Sequence, residues 1–250
     1  MLACRAPPRL TSMHSNPLHS TPRLAWLFDV DGTLLSTDGA ARQAFAHAVR
    51  ERFGVEDDLA DIPFGGRTEP LILADILHKH GRRFEDGEEA RFLDSVFAAM
   101  RATFVPPRGR LMLGVIELLE RIEREPGWVK GLLTGNMTQM ARIKLDRFSL
   151  ADRFAFGAFG EEAPDRNALA RVAVERVTRR YGVPAARCVV VGDTEHDIAC
   201  ARAAGARVIA VATGTQSRAA LEPHAPDLLL DDLTDPAAVV EWARAVEIGG

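Results

Sequence analysis

Asp29 and Asp31 are carboxylates two positions apart in Asp29-Val-Asp-Gly-Thr-Leu34, directly after the apolar run Leu24–Phe28. At the end of a buried strand both can face one crevice, and Gly32 permits the turn this needs. The same residues also read as a plain strand-to-turn signal. A second acidic group, Gly192-Asp193-Thr-Glu-His-Asp197, follows the run Cys188–Val191 and sets Asp197 on the first turn of the next helix. Aspartate is favoured there as a cap as well. Thr134-Gly135-Asn136 follows the run 128–133 and offers a hydroxyl and backbone N–H groups at a helix start. That is an anion site or, again, a cap. Together the three groups gather Asp29, Asp31, Thr134, Asp193 and Asp197 at strand ends. Carboxylates without counter-charge repel by about 4 kcal/mol per pair at ~4 Å and an effective dielectric of ~20. A divalent cation relieves this, and an all-oxygen set with no His–Cys cluster favours Mg²⁺ over zinc.

The elements that must position these residues follow from periodicity. Leu24-Ala-Trp-Leu-Phe28 is predicted as a buried strand. Residues 38–54 read as a helix with Ala41, Ala44, Phe45, Ala48 and Val49 on one face. Helices are also expected over 69–80 and 87–104, separated from the first by the loop Pro63-Phe-Gly-Gly-Arg-Thr68. Pro106, Pro107 and Gly109 mark a boundary. Beyond it helices and strands alternate: helix 111–125, strand 128–133, helix 137–148, a short strand near 154–158, helix 166–181, strand 187–191, helix 195–204, strand 207–211, strand 227–230, helix 235–246. This alternation predicts an α/β fold, a doubly wound parallel sheet with helices on both faces. The first strand is then central, and the core is residues 23–37 plus 106–250, interrupted by an all-helical insertion, 38–105. An insertion beside the carboxyl end of that strand is well placed to act as a lid.

Composition narrows the function classes. The formal charge of −4 comes without a basic stripe, which argues against nucleic acid as partner. No apolar run is long enough for a membrane span. Cys4, Cys188 and Cys200 form neither a disulfide framework nor a metal pair, and Cys188 and Cys200 sit in apolar surroundings. These features suit a cytoplasmic protein. Residues 1–22 contain Arg, Pro, Ser and His but no acid and read as a disordered tail. The sequence carries no signal for an oligomeric state.

DVDGTL, LLTGN and GDTEHD, in this order and spacing, resemble the haloacid dehalogenase (HAD) superfamily, and the resemblance covers nearly everything from residue 24 onward. The insertion between the first two motifs is similar to the helical cap of that family, in its phosphoglycolate-phosphatase-like branch. The resemblance implies a Mg²⁺-dependent hydrolase of a small phosphorylated metabolite. Asp29 would attack phosphorus and form an aspartyl-phosphate. Asp31 would protonate the leaving oxygen and then activate water. Asp29, Asp31 (through its backbone carbonyl), Asp193 and Asp197 would serve the metal, and Thr134, Gly135 and Asn136 the phosphoryl oxygens. Asp31 further argues for phosphate over halocarbon chemistry. The chain departs from the family at the third motif, usually a lysine, since no lysine follows Lys144. Arg166, in Asp165-Arg-Asn-Ala-Leu169, stands in its place, with Lys144 as the alternative. In the insertion, Arg67 and Thr68 resemble a substrate-facing loop. A phosphomutase of the β-phosphoglucomutase kind is the alternative activity, and a non-catalytic binding module the third reading.

Overall fold

The computed structural model describes residues 23–249. The reading of 1–22 as a disordered tail lies outside the described residues. Strand β1 (Leu24–Phe28) is buried along its whole length, as a strand covered on both faces must be. Its side chains alternate. Leu24, Trp26 and Phe28 join one hydrophobic cluster, and Ala25 and Leu27 join a second on the opposite face. Trp26 stacks on Phe28 with ring centroids 6.0 Å apart and meets Trp128 at 5.4 Å.

After β1 come the short strand β2 (Leu35–Ser36) and three helices, α1 (Ala40–Phe53), α2 (Glu69–Lys79) and α3 (Glu88–Thr103). Strand β3 (Arg110–Leu111) returns antiparallel to β2, so a two-stranded ribbon closes the base of the helical insertion. The insertion has its own aromatic packing, with Phe92 5.3 Å from Phe53 and 5.5 Å from Phe84.

The core resumes with α4 (Val115–Arg124), β4 (Trp128–Leu133), α5 (Thr138–Asp146), β5 (Gly157–Ala158) and α6 (Arg166–Tyr181). It ends with β6 (Cys188–Gly192), α7 (Glu195–Ala203), β7 (Arg207–Val211), the single turn α8 (Arg218–Leu221), β8 (Leu228–Leu230) and α9 (Pro236–Gly249). Six strands form one parallel sheet in the order β5-β4-β1-β6-β7-β8. Leu118, Ile122, Met140, Leu145 and Val239 bring α4, α5 and α9 to one face. Leu169, Ala173, Val177, Ile198 and Ala201 bring α6 and α7 to the other. This is the predicted three-layer α/β core with a helical cap. The chain leaves β1 on one side through β4 and β5 and returns to β6 on the other. That reversal is where open α/β sheets form a crevice.

Three local expectations shift. The predicted helix over 111–125 begins only at Val115, because β3 claims Arg110 and Leu111, Met112 N–H donates to Leu34 O at 3.0 Å, and Gly114 takes φ 78°. On α1 it is Ala40 that is fully buried; Ala41 is half-buried and lines a cavity. The short strand near 154–158 contracts to Gly157 and Ala158. Cys188 and Cys200 are free and buried, as expected. No helix among the described residues is long and apolar enough to cross a membrane.

Candidate active site

Asp29 is the first residue beyond β1, and its N–H donates to Val191 O of β6 at 2.9 Å, fixing the carboxyl end of both strands. The loops after β1, β4, β6 and β7 deliver Asp29, Thr134, Asp193 and Thr213 to one cavity of about 370 Å³. Adjacent strands lie about 4.8 Å apart, so residues at neighbouring strand ends are within reach of one another.

Asp29, Asp193 and Asp197 are buried and offer carboxylate oxygens within 4.8 Å of one another. Burial pushes the Asp29 carboxyl up to about 6, with Asp197 and Asp31 adding repulsion that Arg166 partly offsets. Burial, then Asp197 and Asp29, raises Asp193 well above the usual carboxylate range. Such a cluster is short of positive charge. Its shape is equally specific: Asp193 sits in a slot walled by Gly32 and Gly214, where a Cβ on either would overlap its carboxylate. Gly32 also takes φ 81°, a left-handed conformation glycine adopts without strain. An oxygen-only, buried, repelling triad fits a hard divalent cation such as Mg²⁺.

Arg166, the first residue of α6, lies against the carboxylate cluster. Its guanidinium lies 3.1 Å from Asp29 Oδ1 and pairs with Asp197 Oδ1. Its Nε is buried with no partner. Asp197 Oδ2 accepts from Thr194 N–H at 3.0 Å and from Thr194 Oγ1 at 2.6 Å, a capping box at the start of α7. One Asp197 oxygen therefore caps the helix while the other pairs with Arg166.

Lys144 has a different place. From α5 its buried ammonium reaches Asp31 Oδ2 at 2.6 Å and also donates to Asn136 Oδ1. Asn136 Nδ2 donates to Asp31 Oδ2 at 2.8 Å and to Thr134 Oγ1 at 2.7 Å. Both bonds to Asp31 fall on Oδ2, and that side chain remains 41% exposed toward the cavity. The Thr134 hydroxyl is buried and accepts from Asn136, leaving its own O–H free to donate.

The cap seats on this loop. Glu69 N–H donates to Gly135 O at 2.8 Å, and Glu69 Oε2 accepts from Met137 N–H at 2.7 Å. A Cβ at Gly135 would strike the Arg67 carbonyl, and one at Gly66 would strike the His196 ring. The Thr68 hydroxyl is buried without a partner at the start of α2. The Arg67 side chain lines the cavity but is ion-paired with Asp75.

Three contributors escaped the sequence reading. Thr213 Oγ1 donates to Gly32 O at 2.6 Å, tying the loop after β7 to the first motif. The run Arg207–Val211 followed by Ala-Thr-Gly-Thr215 repeats the strand-then-small-polar pattern and signals it. Arg42 lines the cavity from the first turn of α1. Glu69 carried no signal, since its burial depends on the cap meeting the core. Burial raises the Glu69 carboxyl to about 7, against the pull of Lys144.

Gly214→Ala is expected to displace Asp193 in a protein that still folds, and Mg²⁺ titration by calorimetry should read binding about 10- to 100-fold weaker than in wild type. For Glu69 the ordinary value is 4.5, so between about 4.5 and 7 the folded chain binds more protons than the unfolded one. Its contribution is greatest below 4.5 and is lost as pH rises through that window, on the order of 2 kcal/mol. Denaturation of wild type and Glu69→Gln at pH 5 and 8 should show a shallower slope in the variant; equal slopes would assign the pH dependence elsewhere.

The HAD-hydrolase-like family matches residues 166–236. The chain is 27% identical over 234 residues to phosphoglycolate phosphatase 1 of Pseudomonas aeruginosa, covering 90% of this chain and 82% of that protein. It is 22% identical over 212 residues to the pyrophosphatase PpaX of Bacillus cereus, covering 84% and 92%. The crystal structure of a predicted phosphoglycolate phosphatase from Haemophilus somnus has the same fold, with TM-score 0.69 at 18% identity over 88% of this chain and 99% of that one. Three acidic and hydroxyl motifs converge at the sheet's switch point and the relatives match along most of the chain, so the protein is similar to the haloacid dehalogenase-like hydrolases.

Proposed function

We propose that this protein is a Mg²⁺-dependent phosphatase acting on a small phosphomonoester through an aspartyl-phosphate on Asp29. One observation carries the reading. Asp29 sits beside Arg166 and two further buried carboxylates, while Asp31 and Thr134 face the same cavity. Asp29 and Asp193, with the Asp31 backbone carbonyl, would hold the metal, supported by Asp197. The ion would supply charge neutralisation at the transferring phosphoryl group, the main requirement of such chemistry.

A carboxylate oxygen of Asp29 attacks phosphorus, and the ester P–O bond breaks. Asp31 gives its proton to the departing oxygen. A water then loses a proton to Asp31 and attacks the phosphorus of the aspartyl-phosphate, releasing inorganic phosphate and restoring the Asp29 carboxylate. Arg166 neutralises charge at Asp29, and the Thr134 hydroxyl with the Gly135 and Asn136 N–H groups receives the phosphoryl oxygens. Lys144 and Asn136 orient Asp31. The cap, docked through Glu69, acts as the lid that keeps bulk water out. Arg67 and Thr68 remain candidates for substrate contact. The buried free cysteines suit a cytoplasmic setting.

The test is phosphate release from a panel of small phosphate esters with Mg²⁺ or with EDTA. Mg²⁺-dependent release supports the phosphatase. Folded protein that releases none overturns it, and conversion of one sugar phosphate isomer to another would indicate a mutase instead.

A further inference from the structure

The cavity is lined by five cationic side chains, Arg42, Arg67, Arg110, Lys144 and Arg166. Four are already matched by carboxylates. Arg166 faces Asp29 and Asp197, Lys144 faces Asp31, Arg67 faces Asp75, and Arg110 faces Asp38. Arg42 has no acidic partner among the described residues. Its Nη1 instead donates to the carbonyls of Leu59 and, at 3.0 Å, Ile62, and its guanidinium lies 4.6 Å over the Phe64 ring. Neutral carbonyls and an aromatic face fix the head group and leave its charge uncompensated. A guanidinium carries five N–H donors, so most of this fork is still unclaimed. Holding a cation half-buried without a counter-ion is costly unless a bound anion completes it. Arg42 belongs to the cap, whereas the nucleophile and the metal-type carboxylates belong to the core. It therefore addresses the part of a substrate that departs.

We infer that Arg42 is a specificity-determining residue that reads a second negative group, a carboxylate or a further phosphoryl, on the leaving side of a small ester. This rests on the phosphatase reading above and adds the class of ester. A cavity of about 370 Å³ restricts that ester to a small one. Charge recognition by a prefixed guanidinium should raise kcat/KM by about 10- to 100-fold over a neutral analogue of the same size.

The experiment compares matched pairs by phosphate release in Mg²⁺. One pair is a phosphorylated two-carbon hydroxy acid and its amide; the other is the bisphosphate of ethane-1,2-diol and 2-methoxyethyl phosphate, both alkyl esters. Wild type should prefer the charged member of at least one pair, and which pair shows the preference separates carboxylate from phosphoryl. In Arg42→Gln the preferred charged-to-neutral ratio should fall to within about threefold, mainly through KM, with Arg42→Lys intermediate. Arg42 also ties two carbonyls, so melting curves accompany each variant and the wild-type ratio stands without them. Equal use of charged and neutral esters by wild type would overturn the inference and leave the phosphatase standing. So would a ratio that survives in folded Arg42→Gln. Absence of release from every ester would overturn the phosphatase reading itself.

Discussion

Asp29→Asn is expected to abolish phosphate release, a loss of at least ~10⁴-fold, in a protein that still folds. The amide keeps the shape of the side chain but cannot act as a carboxylate nucleophile. The fold should tolerate it, because Asp29 is a buried carboxylate raised to about 6 by burial and by the neighbouring Asp197 and Asp31 charges. Removing one of three clustered charges relieves repulsion in the metal-free protein. The variant should therefore melt no lower than wild type in EDTA and gain less stability from added Mg²⁺. Side-by-side turnover and melting measurements check both halves. Residual turnover above about one hundredth of wild type would assign the nucleophile elsewhere.

The second large effect falls on Arg166. Arg166→Ala should lower turnover by roughly 10³-fold, the scale on which a single arginine supports phosphoryl transfer. It should also destabilise the metal-free protein. Arg166 is the cation that contacts both Asp29 and Asp197, and removing one partner from a buried charge cluster costs about 3–5 kcal/mol. Added Mg²⁺ should recover more stability in this variant than in wild type, since it replaces part of the lost charge. Arg166→Lys should restore part of the rate, because the point charge survives and the fork that spans two carboxylates does not. An unchanged rate in Arg166→Ala would remove it from the site.

The legibility of these residues in the sequence has a physical basis. Each core motif directly follows an uninterrupted apolar strand, so the hydrophobic run announces both the strand and the end where its polar residue must emerge. Asp29, Thr134 and Asp193 are legible for that reason, and parallel pairing then brings them together. Arg166 is legible through its place at a helix start. Contacts made across the seam between cap and core are not. The pairing of Arg67 with Asp75 depends on where α2 begins and how the loop before it curls. Lys144 could be named as a cation near the site, but only the packing of α5 directs it to Asp31 and away from Asp29. Arg42 and Glu69 look like ordinary surface residues of amphipathic helices until the cap is seated.

Covalent chemistry at Asp29 can be caught by trapping the phosphorylated enzyme. A preferred ester is mixed with enzyme and Mg²⁺, quenched in acid during turnover, and the digested protein is examined by mass spectrometry. One added phosphoryl group is expected on the peptide that contains Asp29, and none in Asp29→Asn. Continuing hydrolysis with the phosphoryl group on another residue, together with an active Asp29→Asn enzyme, would contradict it.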